Sequence, residues 1–119
     1  MGQFLSAISF ADLLSRVDDD REFMDELLVL FSEELPPLMH ALGNAVVQID
    51  LKQIEMATHT LAGMLANLSA SQAQSSVVAL EQLVRNRQTD GLANALAALR
   101  QDLEEVTASI RLHLEELLA

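Results

Sequence analysis

The C-terminal part of the chain places apolar side chains at strictly alternating steps of four and three: Leu92, Leu96, Leu99, Leu103, Val106, Ile110, His113 and Leu117, with only His113 not apolar. A helix with one buried face is the structure that brings such a series into register. The same rhythm recurs upstream. Met24, Leu28, Phe31, Leu35, Leu38, Leu42, Ala45 and Ile49 form one seam. Leu51, Ile54, Thr58, Leu61, Leu65 and Leu68 form another, and Ala73, Val77, Leu80 and Val84 a fourth. Four amphipathic helices joined by short turns can bury these seams against one another. The expected fold is therefore all-α, an antiparallel up-down-up-down four-helix bundle with a short N-terminal covering helix.

Boundary residues divide the chain accordingly. Ser9 is placed to cap a short helix running to about Arg16, with Asp12 in its first turn. Asp18-Asp19-Asp20 opens the next helix, with acidic groups at its positive end. That helix meets Pro36-Pro37, which remove two helical hydrogen bonds. The unbroken register across them favours one long helix with a kink; two shorter helices meeting at the prolines are the alternative. Asp50 caps the third helix, which ends near Leu68, and Ser69 to Ser71 make a turn. A fourth helix is expected from about Gln72 to Asn86, and Thr89 or Asp90 starts the last. No linker or internal repeat divides residues 1–119, so a single domain is expected, with an N-terminal segment over 1–17 and the bundle over 18–118.

Composition removes whole classes of function. The 119 residues include no cysteine, so disulfides and thiolate metal sites are excluded. Seven basic residues against 18 acidic ones give a formal net charge of −11, which disfavours nucleic acid and anionic membranes as partners. No apolar run approaches the roughly 18 residues of a membrane span. No basic stretch followed by an apolar one marks a secretory leader, and a cytoplasmic location is expected. The opening MGQFLS matches the permissive N-myristoylation pattern, which a start codon followed by incidental residues also satisfies. No two histidines stand three or four apart, and there is no glycine-rich phosphate loop and no nucleophile elbow. An enzyme with its own active site is therefore not expected, and neither a metal nor a cofactor is expected on this chain.

The three histidines differ in placement. His113 lies on the last seam and reads as a core-edge residue. His40 points away from its seam and reads as solvated. His59 lies about 130° from the middle of the third seam, so it faces outward. Gly63 and Ala66 point the same way, Lys52 and Met56 share that outer face, and Ala62 flanks it. A glycine inside a helix costs about 1 kcal/mol relative to alanine. Close approach by a partner gives Gly63 a purpose; a chance glycine on a solvated face is the alternative. Imidazole is mostly neutral at pH 7 and can accept a phosphoryl group already activated on another protein.

The stretch His59-Thr60-Leu61-Ala62-Gly63, followed by Asn67-Leu68-Ser69-Ala70, resembles the H-x-L-K-G … N-L-G-A motif of histidine-containing phosphotransfer (HPt) domains of two-component phosphorelays. Phe31-Ser32-Glu33-Glu34-Leu35-Pro36 is similar to the family's F-x-E-E-L-P stretch, and Leu80-Glu81 with Arg85 to its later L-E and Arg positions. The resemblance spans roughly Leu13 to Leu92. It implies a carrier, completed by its partners, that accepts phosphoryl from a receiver-domain aspartate and passes it to another receiver. His59 would be the phosphoacceptor, and Glu81 would orient the imidazole. Lys52, Met56, Ala62, Gly63 and Ala66 would meet the partner. Implied partners are response-regulator receiver domains and a hybrid sensor histidine kinase, with magnesium on the receiver and the carrier itself monomeric.

Two positions depart from the family pattern. Ala62 stands where lysine is usual and Ser69 where glycine is usual. Loss of one charge-assisted contact of roughly 1.5–3 kcal/mol would slow transfer by one to two orders of magnitude. Lys52, two turns back on the same face, is placed to offset part of that loss. A phosphotransfer-silent HPt-like adaptor is the alternative reading, and a purely structural or dimerising bundle a third.

Overall fold

The structure, a computed structural model, describes residues 7–118, so the N-terminal hexapeptide and its myristoylation pattern lie outside the described residues. Five α-helices follow in order: α1 (Phe10–Arg16), α2 (Arg21–Gln48), α3 (Leu51–Asn67), α4 (Ser71–Arg85) and α5 (Leu92–Leu118). A single 3-10 turn, Thr89–Gly91, leads into α5. No strand occurs among the described residues. Neighbours pack as a ring, α2 on α3, α3 on α4, α4 on α5 and α5 back on α2. Pairs at opposite ends fix the antiparallel sense of α2 and α5: Asp25 meets His113, and Gly43 lies against Arg100.

The core is aliphatic and follows the seams. Leu28, Leu42, Ile54, Leu61, Leu65, Val77, Leu80 and Leu99 are completely buried. Thr58, the polar member of the third seam, is equally buried. Its hydroxyl donates to the carbonyls of Ile54 (2.8 Å) and Glu55 (3.1 Å), so no buried polar group is left unsatisfied there. α2 runs without a break through Pro36 and Pro37. The missing N–H groups would have bonded the carbonyls of Ser32 and Glu33, which belong to half-buried and exposed residues where water can take over.

Helix lengths explain α1. At about 1.5 Å per residue, the 28 residues of α2 span roughly 42 Å, close to the 45 Å long axis of the molecule. The 17-residue α3 and 15-residue α4 are much shorter. α1 sits against the turn that joins them, with the Ser9 N–H donating to the Ser69 carbonyl at 3.2 Å. Ile8 and Leu13 are fully buried there. The Ser9, Asp20 and Asp50 side chains cap α1, α2 and α3 through the N–H groups of Asp12, Phe23 and Gln53.

Three expectations are corrected. Ile49 is not a seam residue: it is about half exposed and ends α2 in the left-handed region at φ 51°. That conformation swings the chain into the Asp50 cap, with the Asp50 N–H donating to the Ala45 carbonyl at 2.9 Å. Leu117 is likewise exposed, on an open groove that it lines with Phe10, Leu14 and Met24. Of the three consecutive aspartates only Asp20 caps α2; Asp18 and Asp19 take left-handed φ values of 55° and 61° and form the turn after α1.

Candidate functional site

α3 carries the candidate site because its buried face is fully used by Ile54, Ala57, Thr58, Leu61 and Leu65. The opposite face is left to solvent. His59 is exposed at mid-helix, and its side chain makes no hydrogen bond or ion pair with any described residue. Gly63, one turn on, is also exposed, and a Cβ built on it would meet nothing within 4 Å. Ala62 and Ala66 are half-buried beside it. Lys52 is exposed, and Met56 keeps 54% of its surface accessible. The six α3 residues chosen from spacing thus share one side of α3. The ring stands above a notch floored by small side chains.

Glu81 is half-buried on α4, the helix packed beside α3. It forms no hydrogen bond to His59 in this structure, so the ring is not held by it. Any orienting contact between the two requires side-chain movement.

Two features of the site were not read from the sequence. Arg16 of α1 donates from Nη1 to the Ala66 carbonyl at 2.5 Å, placing a cation at the C-terminal edge of the notch. Such a contact suits the negative end of a helix, but it joins residues 50 apart and follows no local pattern. Beside the notch, Leu27 and Leu30 of α2 with Met64 and Asn67 of α3 line a small cavity of about 90 Å³. Phe23 and Leu30 are nearly half exposed. The signal was present: Phe23, Leu27 and Leu30 repeat at steps of four and three, as a second apolar stripe off the α2 seam.

The Asn67-Leu68-Ser69-Ala70 turn ties α1 to the site helix. Ser69 takes φ 56°, a conformation that favours glycine. Its hydroxyl donates to Asp12 Oδ2 at 2.5 Å, a contact that glycine could not make. Leu68 and Ala70 are buried on either side of it.

A ring of antiparallel helices presenting, at mid-helix beside an open glycine notch, an exposed imidazole without a partner among the described residues defines a helical histidine-bearing bundle. The Hpt domain family matches residues 26–109, and the chain belongs to that family. An X-ray structure from rice, described as a candidate histidine-containing phosphotransfer protein, superposes with a TM-score of 0.74 at 18% identity. The alignment covers 95% of this chain and 85% of the rice protein, and it establishes the shared fold. No curated protein sequence matches the chain significantly.

Proposed function

We propose that this Hpt domain is a phosphorelay carrier in which His59 accepts a phosphoryl group from a receiver-domain aspartate and passes it to another receiver. The carrying observation is the exposed, unpartnered imidazole of His59 beside the open surface at Gly63. A free ring nitrogen attacks phosphorus as the bond to the aspartate oxygen breaks, so a P–N bond replaces a P–O bond and the carboxylate leaves with the electron pair. The positive charge gained by the ring is relieved when its other nitrogen gives up a proton or pairs with a carboxylate. Glu81 is the carboxylate we assign to that task, as a positioning residue. Magnesium belongs to the receiver, whose carboxylates hold it and offset the charge on the transferring group.

Gly63, Ala62 and Ala66 allow the receiver's reactive centre to approach, while Met56 and Lys52 meet its periphery. No described helix is long and apolar enough to cross a membrane. We assign the carrier to the cytoplasm, as a monomer served by a hybrid sensor kinase. The chain is then a carrier whose chemistry its partners complete.

The test is transfer from phosphorylated receivers to the purified domain, scored as acid-labile, base-stable label. The account expects label on the native chain and none on His59→Gln. Label that survives His59→Gln overturns the assignment. Receiver binding indifferent to that substitution, with no label on either chain, would favour the adaptor reading.

A further inference from the structure

Charge on this acidic molecule is unevenly arranged. Of the seven lysines and arginines, three (Lys52, Arg85 and Arg87) line one shallow pocket where α3 begins and α4 stops. Glu55 is the one acid lining it. All three cations are exposed, and none of their side chains joins a hydrogen bond or ion pair among the described residues. The other four cations lie elsewhere, no three of them together. Arg16 is held by Asp12 and the Ala66 carbonyl. Arg21 shares a groove with Glu116, and Arg100 and Arg111 share one with Glu104.

Helix stability does not account for the cluster. Arg85 suits the negative end of α4. Lys52 stands in the first turn of α3, the end where a cation is unfavourable, with the Asp50 cap and Glu55 as its nearest acids. Arg87 takes a left-handed φ of 55°. Three like charges at one helix junction exceed what Glu55 in the pocket can balance and leave room for an external anion.

The cluster adjoins the site. Glu55 and Lys52 precede His59 by four and seven residues, so both lie on its side of α3, and Lys52 is about 10 Å away along the axis. An interface of ordinary size covers about 800 Å² per partner, a disc wide enough to include both the ring and the cluster. Ala62, Gly63 and Ala66 bring no charge to the notch; Glu55, one turn before the ring, is negative, and Arg16 at the notch edge is held by Asp12 and the Ala66 carbonyl. A protein carrying an acyl phosphate, with the carboxylates that bind its magnesium, presents an anionic mouth. A chain of net charge −11 repels such a mouth unless local cations reverse the field.

The geometry points to Lys52, Arg85 and Arg87 as a cationic docking site for the acidic rim of the receiver, steering its phosphoryl group onto His59. The inference rests on the phosphoacceptor reading of His59. The three residues engage the partner protein and do not touch the reacting atoms, so they act on encounter and orientation.

The experiment uses the full chain, a panel of purified phosphorylated receiver domains, and the variant Lys52→Glu/Arg85→Glu/Arg87→Glu. The second-order transfer rate at low salt is expected to fall by about 30-fold or more. At about 500 mM salt, where screening acts within a few ångströms, the loss is expected to shrink below about threefold. Arg21→Glu/Arg100→Glu/Arg111→Glu, a control with the same change in net charge, is expected to hold the rate within about twofold of native at either salt. Direct phosphorylation of His59 by phosphoramidate, which needs no docking, is expected to be equal in all chains. If the docking-site variant melts early, Lys52→Gln/Arg87→Gln replaces it, with a smaller loss and the same salt dependence. A docking-site variant that transfers within about twofold of native at low salt overturns the docking site and leaves the phosphoacceptor intact. Amide NMR of the His59→Gln chain with each receiver separates the two readings. Shifts centred on the three cations without label on the native chain support docking and overturn transfer. Neither label nor such shifts with any receiver overturns both.

Discussion

His59 and His113 are the same residue in opposite circumstances. His113 is wedged between α5, α1 and α2: its ring stacks on Phe10 with centroids 4.8 Å apart, and its Nε2 lies 2.8 Å from Asp25 Oδ1. Its side chain is only about a fifth exposed. His59 has no partner among the described residues, stands in solvent and borders a surface on which a Cβ at Gly63 meets nothing within 4 Å. The first imidazole is used up by contacts that hold α1 to the end of the bundle. The second keeps both nitrogens available. Packing, more than residue type, separates a histidine spent on structure from one left free; His40 is exposed as well, and the open surface at Gly63 is what sets His59 apart from it.

The contrast breaks most directly under paired substitution. His59→Gln is expected to reduce receiver-driven labelling to background. Its melting temperature should stay close to native, since exposed substitutions usually cost under about 0.5 kcal/mol. Labelling kinetics and thermal melts on the same samples check both halves. His113→Gln should do the reverse, leaving labelling intact.

Effects of intermediate size probe the notch. Gly63→Leu is expected to fold normally, because the added atoms enter open space. It should slow transfer by roughly 100-fold by displacing the partner from its attack geometry. Gly63→Ala should instead raise stability by about 1 kcal/mol through helix propensity. Gly43 sharpens the point: a Cβ there would lie 2.5 Å from the Arg100 guanidinium, so Gly43→Ala must displace that side chain. Ala62→Lys, which puts a cation beside the ring, should speed transfer by about tenfold. Stopped-flow or quenched transfer with one receiver measures all of these.

The smallest expected changes are in stability alone. His113→Gln removes the aromatic stack and weakens the Asp25 contact, for a loss of about 1–2 kcal/mol. Ile49→Gly relieves a β-branched residue of its left-handed backbone and should gain about 1 kcal/mol. For a domain of this size, that is a rise of roughly 4 °C in Tm by calorimetry.

The helices and the face bearing His59 were legible because both follow from spacing along one helix. Ser9 and Asp50 could be read as caps because each bonds an N–H three residues on; which of Asp18, Asp19 and Asp20 caps α2 could not, because the left-handed turn at the first two leaves no such pattern. Register carried α2 through Pro36-Pro37, since a break there would have shifted Leu38 and Leu42 off the seam. The same rule misread Ile49 and Leu117, because periodicity does not say what the neighbouring helices cover. Contacts between distant segments left no local trace. Arg16 on the Ala66 carbonyl, Ser69 on Asp12 and the convergence of Lys52 with Arg85 and Arg87 depend on how the ends of four helices meet. The Glu81 assignment came from resemblance alone, and the packed side chains do not join it to His59.

The most direct measurement is site localisation of phosphate by mass spectrometry under alkaline conditions, after incubation with a phosphorylated receiver that binds the domain. The account predicts a single modified residue, His59, with His40 and His113 unmodified. Phosphate on either of those histidines, or none on a domain that binds the receiver, would contradict it.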